Sequence, residues 1–235
     1  MYYPFIGSGI TSFFYNFFQT LVYTAPAVLI AISLHEFAHG YMSYRLGDMT
    51  PKLDGRLTLN PFRHLDVWGT ICLLFCGVGW AKPIRVNVRN YKNPRRDMIL
   101  VAAAGPVMNF LLGFLFMLFY GIFEKAGGSG LIVHYLASLC LYTSFINIGL
   151  GVFNLIPIPP LDGSNILGEL IPSVESFYQK IRRYSVVILA ILLFTGVLSR
   201  PMYYINGAIR TGMWELVSKI LRIGVAAATG NGTVI

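Results

Sequence analysis

A chain of 235 residues that is 55% hydrophobic and 12% charged carries about half the charge of a soluble globular domain, too little polar surface to cover a water-soluble particle. Its formal net charge of +8 sits in short groups beside apolar runs: Arg45, Lys52, Arg56 and Arg63, then Lys82, Arg85, Arg89, Lys92, Arg95 and Arg96. That is the pattern of cytoplasmic loops in a membrane protein, not of a nucleic-acid surface, and three cysteines in apolar runs (Cys72, Cys76 and Cys140) exclude a disulfide framework.

No Lys, Arg, Asp or Glu precedes Glu36, and none lies between Asp97 and Glu124, Lys125 and Asp162, or Arg183 and Arg200. A spanning helix needs about 20 apolar residues. The start of the chain has neither a basic leader nor a small-residue cleavage site, so no signal peptide is expected. Residues 8–24 are rich in Phe and Tyr and suggest an interfacial or tilted helix. A stronger run follows Pro26, over 27–46, and stops at Gly47-Asp48. Residues 48–66 form a polar loop. The run 67–80 is short, glycine-bearing and flanked on both sides by basic residues, as expected of a re-entrant segment. Residues 84–89 alternate apolar and polar, a short strand signal. Helices are expected over 98–123 and 131–153. Pro157, Pro159 and Pro160 break the second. Residues 171–183 are polar, 185–198 apolar, and 205–223 place Ile209, Met213, Leu216, Val217 and Ile220 at helical spacing, as in an interfacial amphipathic helix.

The chemistry centres on His35-Glu36-Phe37-Ala38-His39, inside a predicted membrane helix. Residues i and i+4 share a helix face. Both imidazoles can therefore bind one metal ion, with Glu36 beside them as general base. Catalytic zinc takes three protein ligands and leaves a position for water, whose pKa falls to about 7. Three ionisable residues in five, inside an apolar helix, are costly and mark function by default. The candidate third ligand is Asp162, which stands alone between Lys125 and Glu169 after a proline-broken helix. Its competing role is a helix N-cap ahead of Gly163-Ser164.

The pairing of His35-Glu36-x-x-His39 with Asn154-x-x-Pro157 and Leu161-Asp162-Gly163 resembles the site-2 protease family of intramembrane zinc metalloproteases. Gly55-Arg56-Leu57-Thr58-Leu59-Asn60-Pro61, Gly79-Trp80-Ala81-Lys82-Pro83, Asn93-Pro94-Arg95-Arg96-Asp97 and Gly105-Pro106-x-x-Asn109 are similar to a compact bacterial branch of it. The resemblance implies His35, His39 and Asp162 as ligands of one zinc ion, Glu36 as catalytic acid/base, and a substrate-facing Asn154. It implies peptide-bond hydrolysis in or near transmembrane helices of membrane-protein substrates. There is no room for the PDZ or CBS domains of many relatives. Asn109 is a candidate for substrate binding or for helix packing. His64 reads as a loop hydrogen-bonder and His134 as structural. A transporter would also bury ionisable residues, but the internal repeats usual in transporters are not visible.

The expected fold is therefore an all-α polytopic membrane protein. It is a bundle of about four to six membrane helices with a re-entrant segment and a short β-hairpin or strand. It forms one membrane-embedded domain, 1–235, with its core over 25–170 and C-terminal helices over 184–223. The expected setting is the cell membrane, with the site toward the cytoplasm. Expected partners are the lipid bilayer and a transmembrane substrate.

Overall fold

The computed structural model describes residues 10–66, 69, 81–128 and 130–223. Helix α1 runs over Ile10–Arg45 and a short α2 over Thr50–Leu53. The long helices α3, Pro94–Ala126, and α4, Leu131–Asn154, follow. Then come α5, Asp162–Leu170, α6, Pro172–Ile181, α7, Ser185–Phe194, and α8, Ser199–Leu221. Among the described residues, three stretches are long and apolar enough to cross a membrane: Leu21–Arg45, Pro94–Ala126 and Leu131–Asn154. A fourth arises if Pro172–Phe194 and Ser199–Leu221, bent by 78° at their break, act as one span. That meets the lower end of the expected four to six. The re-entrant segment expected at 67–80 lies outside the described residues, as do Cys72 and Cys76.

Pro26 was expected to open a helix, yet α1 runs through it. Proline withholds one N–H and frees a carbonyl one turn back, at residue i−4. Here that carbonyl belongs to Val22, and it accepts a 3.4 Å hydrogen bond from the Tyr135 hydroxyl of α4. The Tyr23 ring packs on Tyr135 and Tyr142 at 5.3 and 5.4 Å between centroids. A neighbouring helix thus satisfies backbone that would otherwise face hydrocarbon.

α3 starts with Pro94 in its first turn, where a missing N–H costs nothing. Asp97 Oδ2 accepts from the Asn93 N–H at 3.0 Å, placing a carboxylate at the helix N-terminus, where negative charge is favourable. Near the far end of α3, Met117, Ile148, Trp214 and Val217 make an apolar core between α3, α4 and α8. The stripe expected to lie at the interface is thereby divided. Ile209, Met213 and Val217 pack into the bundle, while Leu216 and Ile220 stay exposed. α3 and α4 bring their own apolar faces to the same place, so burial is available to α8 within the protein.

No strand forms among the described residues; Leu65 and Ala81 make one isolated antiparallel bridge. The alternation over 84–89 gives irregular backbone that is extended at Asn87, and the ladder is absent for a local reason. Pro83 has no N–H to offer, the Ile84 N–H goes to Glu36, and the Asn87 N–H goes to Asp48. A 3-10 turn at Val88–Asn90 then ends the stretch, with the Asn87 side chain accepting from the Arg89 N–H.

Candidate metal centre

α1 presents His35 and His39 on one face toward α3. The helices can approach there because residue 105 is glycine. A Cβ at Gly105 would overlap the His39 ring and lie 2.6 Å from His35 Cε1. From the other side, the proline-rich turn after α4 delivers Asp162 as the first residue of α5. That turn is tied down by the Tyr178 hydroxyl, which donates to the Pro157 carbonyl at 2.6 Å. Gly163 allows the closure, since a Cβ there would come within 2.7 Å of the Ile156 carbonyl oxygen. The cap of α5 is Leu161, and no side chain caps the helix. The Asp162 carboxylate points instead at the imidazoles.

His35 Nε2 and His39 Nε2 are 3.0 Å apart. Asp162 Oδ2 lies 3.3 Å from the first and 3.2 Å from the second. It is buried and makes no hydrogen bond of acceptable geometry. A tetrahedral zinc site with bonds of about 2.0–2.1 Å separates its ligand atoms by roughly 3.3 Å. Three lone-pair atoms converging at that spacing repel one another unless a cation sits among them. The donor set, two imidazoles and a carboxylate, suits zinc, and His35, His39 and Asp162 are the described residues that fit a metal ion.

The far sides of both rings are held. His39 Nδ1 donates to the Val101 carbonyl at 2.7 Å, leaving the lone pair on Nε2. His35 Nδ1 lies 2.9 Å from the Asn109 amide, which is fully buried. The amide nitrogen faces the ring as placed, and Oδ1 has no partner. Amide oxygen and nitrogen are nearly interchangeable in shape. Turning the amide lets Oδ1 accept from the His35 Nδ1–H and frees His35 Nε2 as a ligand atom.

Glu36 is half-buried one residue along α1, and its Oε2 accepts the Ile84 N–H at 3.1 Å. Asn154 donates to the Leu150 carbonyl of its own helix at 3.1 Å. His64 is fully buried and its Nε2 bonds the Thr58 carbonyl at 2.8 Å, within the loop. His134 is exposed on α4, and Cys140 is a free thiol.

Sequence reasoning passed over Asp48. This fully buried carboxylate accepts from Ser43 Oγ, the Thr50 N–H and hydroxyl, the Asn87 N–H and Asn90 Nδ2, all at 2.6–3.0 Å. The Tyr91 hydroxyl meets Ser43 Oγ at 2.8 Å. Burial acts to raise the Asp48 pKa, but the hydrogen bonds from Thr50, Asn87 and Asn90 outweigh it and hold the value at about 2. The residue clamps the 84–91 stretch to the end of α1, where Ile84 can reach Glu36. Its position after a helix-ending Gly47 resembled ordinary turn chemistry, and nothing local distinguishes it.

A helical membrane bundle that buries His-Glu-x-x-His against a distant aspartate defines a metallopeptidase. The model of Peptidase family M50 matches residues 23–128 and 121–196, and the chain belongs to that family: it is a zinc metalloprotease. It is 36% identical over 214 residues to "Putative zinc metalloprotease YwhC" of Bacillus subtilis, covering 89% of this chain and 97% of the relative. It is 26% identical over 182 residues to "Putative zinc metalloprotease Rip2" of Mycolicibacterium smegmatis, covering 73% and 66%. A shorter match, 30% over 102 residues, covers 43% of this chain and 49% of "Putative zinc metalloprotease MJ0611" of Methanocaldococcus jannaschii. No solved structure matches.

Proposed function

We propose that this chain is an intramembrane protease that hydrolyses peptide bonds in or near transmembrane helices of membrane-protein substrates, the chemistry of regulated intramembrane proteolysis. The observation that carries the reading is the convergence of His35, His39 and Asp162 from two helices inside an apolar bundle, with Glu36 next in sequence. His35, His39 and Asp162 hold one zinc ion, which when bound polarises a carbonyl and acidifies its water. Glu36 takes the proton of the attacking water and returns it to the leaving amine. Asn109, fully buried against His35 Nδ1, orients that imidazole.

The substrate helix has to open before its bond can be cut. Its carbonyls are tied in intrahelical hydrogen bonds, and bare backbone in hydrocarbon costs several kcal/mol per unsatisfied group. The stretch 84–88, with the N–H groups of Ile84 and Asn87 already held by carboxylates, offers its carbonyls and remaining N–H groups as replacement partners by strand addition, and Asn154 receives the unwound bond. Since Ile84 already touches Glu36, a chain laid along this stretch runs beside the general base.

His39 stands six residues before Arg45 in α1, so the centre lies toward the end of α1 that carries the basic loop. By the positive-inside rule that end is cytoplasmic, and the protein is a multi-pass protein of the cell membrane. Cysteines placed at Lys52 and Lys92 should label from the cytoplasm; labelling only from outside reverses the topology. The reading as a whole is tested with purified protein in liposomes holding a single-span substrate. Cleavage within the span by wild type, lowered by about 10²–10⁴-fold in Glu36→Gln at equal zinc content, is expected. Cleavage only of a soluble peptide overturns it.

A further inference from the structure

The backbone that carries Ile84 to Glu36 also forms one wall of an open-mouthed cavity of about 500 Å³. Four cationic side chains line it, Arg56, Arg63, Lys82 and Arg85, against the single acid Asp54. Asp54 pairs with Arg85 Nε at 3.2 Å. Arg56 donates to the Arg63 main-chain carbonyl, which holds the two arginines together without neutralising either. Neither the Arg63 guanidinium nor the Lys82 ammonium has a carboxylate partner among the described residues. Three positive charges are therefore left in excess around one concave space.

The apolar side chains beside the cavity narrow the choice of occupant. Phe62 lines it while 76% exposed. Leu53 and Leu59, on the same loop, are 82% and 60% exposed. The spanning part of α1 ends at Arg45, so this loop starts at headgroup depth. Apolar side chains interleaved with arginines suit that boundary: the rings and branched chains enter the acyl region while the cations meet phosphates. Guanidinium groups bind phosphate oxygens in pairs. An acidic peptide would satisfy the cations equally but would leave Leu53, Leu59 and Phe62 in water.

We infer that this cavity is a binding site for the phosphate headgroup of an anionic phospholipid, held by Arg56, Arg63, Lys82 and Arg85 with Phe62 set into the acyl boundary. The site is separate from the peptidase reading and stands whether or not that reading holds. Because Lys82 and Arg85 flank Ile84, an occupied cavity also steadies the backbone that meets Glu36.

The test uses the full chain, purified in neutral micelles with equal phosphatidylglycerol and phosphatidylcholine, and reads retained lipid by native mass spectrometry. Wild type should keep phosphatidylglycerol at least about tenfold over phosphatidylcholine. Arg56→Gln/Arg63→Gln should lose that preference with zinc content unchanged, while Lys180→Gln/Arg183→Gln, away from the cavity, should keep it. If the arginine pair disturbs folding, Lys82→Gln should still lower the preference several-fold. Equal retention of the two lipids by wild type, or equal loss in the Lys180/Arg183 control, overturns the inference. So does thermal protection by inorganic phosphate in pure phosphatidylcholine that matches protection by phosphatidylglycerol, or tighter retention of a Glu-rich peptide than of the lipid.

Discussion

Two aspartates, Asp48 and Asp162, serve this protein in opposite ways. Asp48 is saturated, with donors from a serine, a threonine, an asparagine side chain and two backbone N–H groups besides. Asp162 Oδ2 is buried without a hydrogen bond and faces two imidazole nitrogens. A carboxylate whose lone pairs are all met by donors is finished as structure, and its charge is balanced locally. A carboxylate that meets other lone pairs is unfinished until a cation arrives. The surroundings, and not the residue type, separate a clamp from a ligand.

The difference is broken most directly by exchanging the chemistry on each side. Glu36→Gln, beside the unfinished cluster, should lower cleavage by about 10²–10⁴-fold, the usual share of general acid–base catalysis. Metal analysis should still find about one zinc per chain. Full zinc occupancy in a His35→Ala/His39→Ala double variant would sink the ligand assignment. One step out, Asn109→Ala removes the partner of His35 Nδ1 and should weaken zinc affinity about 10–100-fold, read by competition with a chelator. A variant with unchanged affinity would show that Asn109 only packs.

Asp48→Asn sharpens the contrast, because it should cost stability and spare the metal. The folded carboxyl is held at about 2 against an ordinary value of 3.8. Its contribution is therefore complete above pH 4 and disappears as the pH falls toward 2, worth ~2 kcal/mol by linkage. Unfolding in detergent followed from pH 6 to pH 2 should show this loss in wild type and not in the variant, with zinc content at pH 7 equal in both. A zinc loss in Asp48→Asn matching that of Asp162→Asn would erase the distinction. The smallest effect is expected in the substrate. Across single-span substrates with one scissile sequence, Gly, Pro or Asn in the flanking helix should speed cleavage by several-fold. Rates that are flat, or that rise with helicity, remove the role given to 84–88.

Much of the centre was legible before folding. The i, i+4 spacing of His35 and His39 puts two ligand atoms on one helix face whatever the rest of the chain does, and Glu36 is adjacent by covalent geometry. The long charge-free runs determine helices, since backbone in lipid has no other way to meet its hydrogen bonds. Pro26 misled because proline breaks a helix only when nothing else takes the freed carbonyl, and Tyr135, over 100 residues away in sequence, takes it from Val22. The alternation at 84–89 misled because a strand needs a neighbour, and its N–H groups found carboxylates instead.

What the sequence by itself determined was the class of chemistry, the two histidines with their glutamate, and a membrane setting. The tertiary structure decided what depends on separation along the chain. It brought Asp162 to the histidines across some 120 residues, set Asn109 behind His35, required Gly105 where the helices touch, and set the saturated carboxylate of Asp48 apart from the unpartnered Oδ2 of Asp162. Local spacing fixes only what one helix can present. Which lone pair meets a donor, and which is left for a metal, is decided where helices from distant parts of the chain meet.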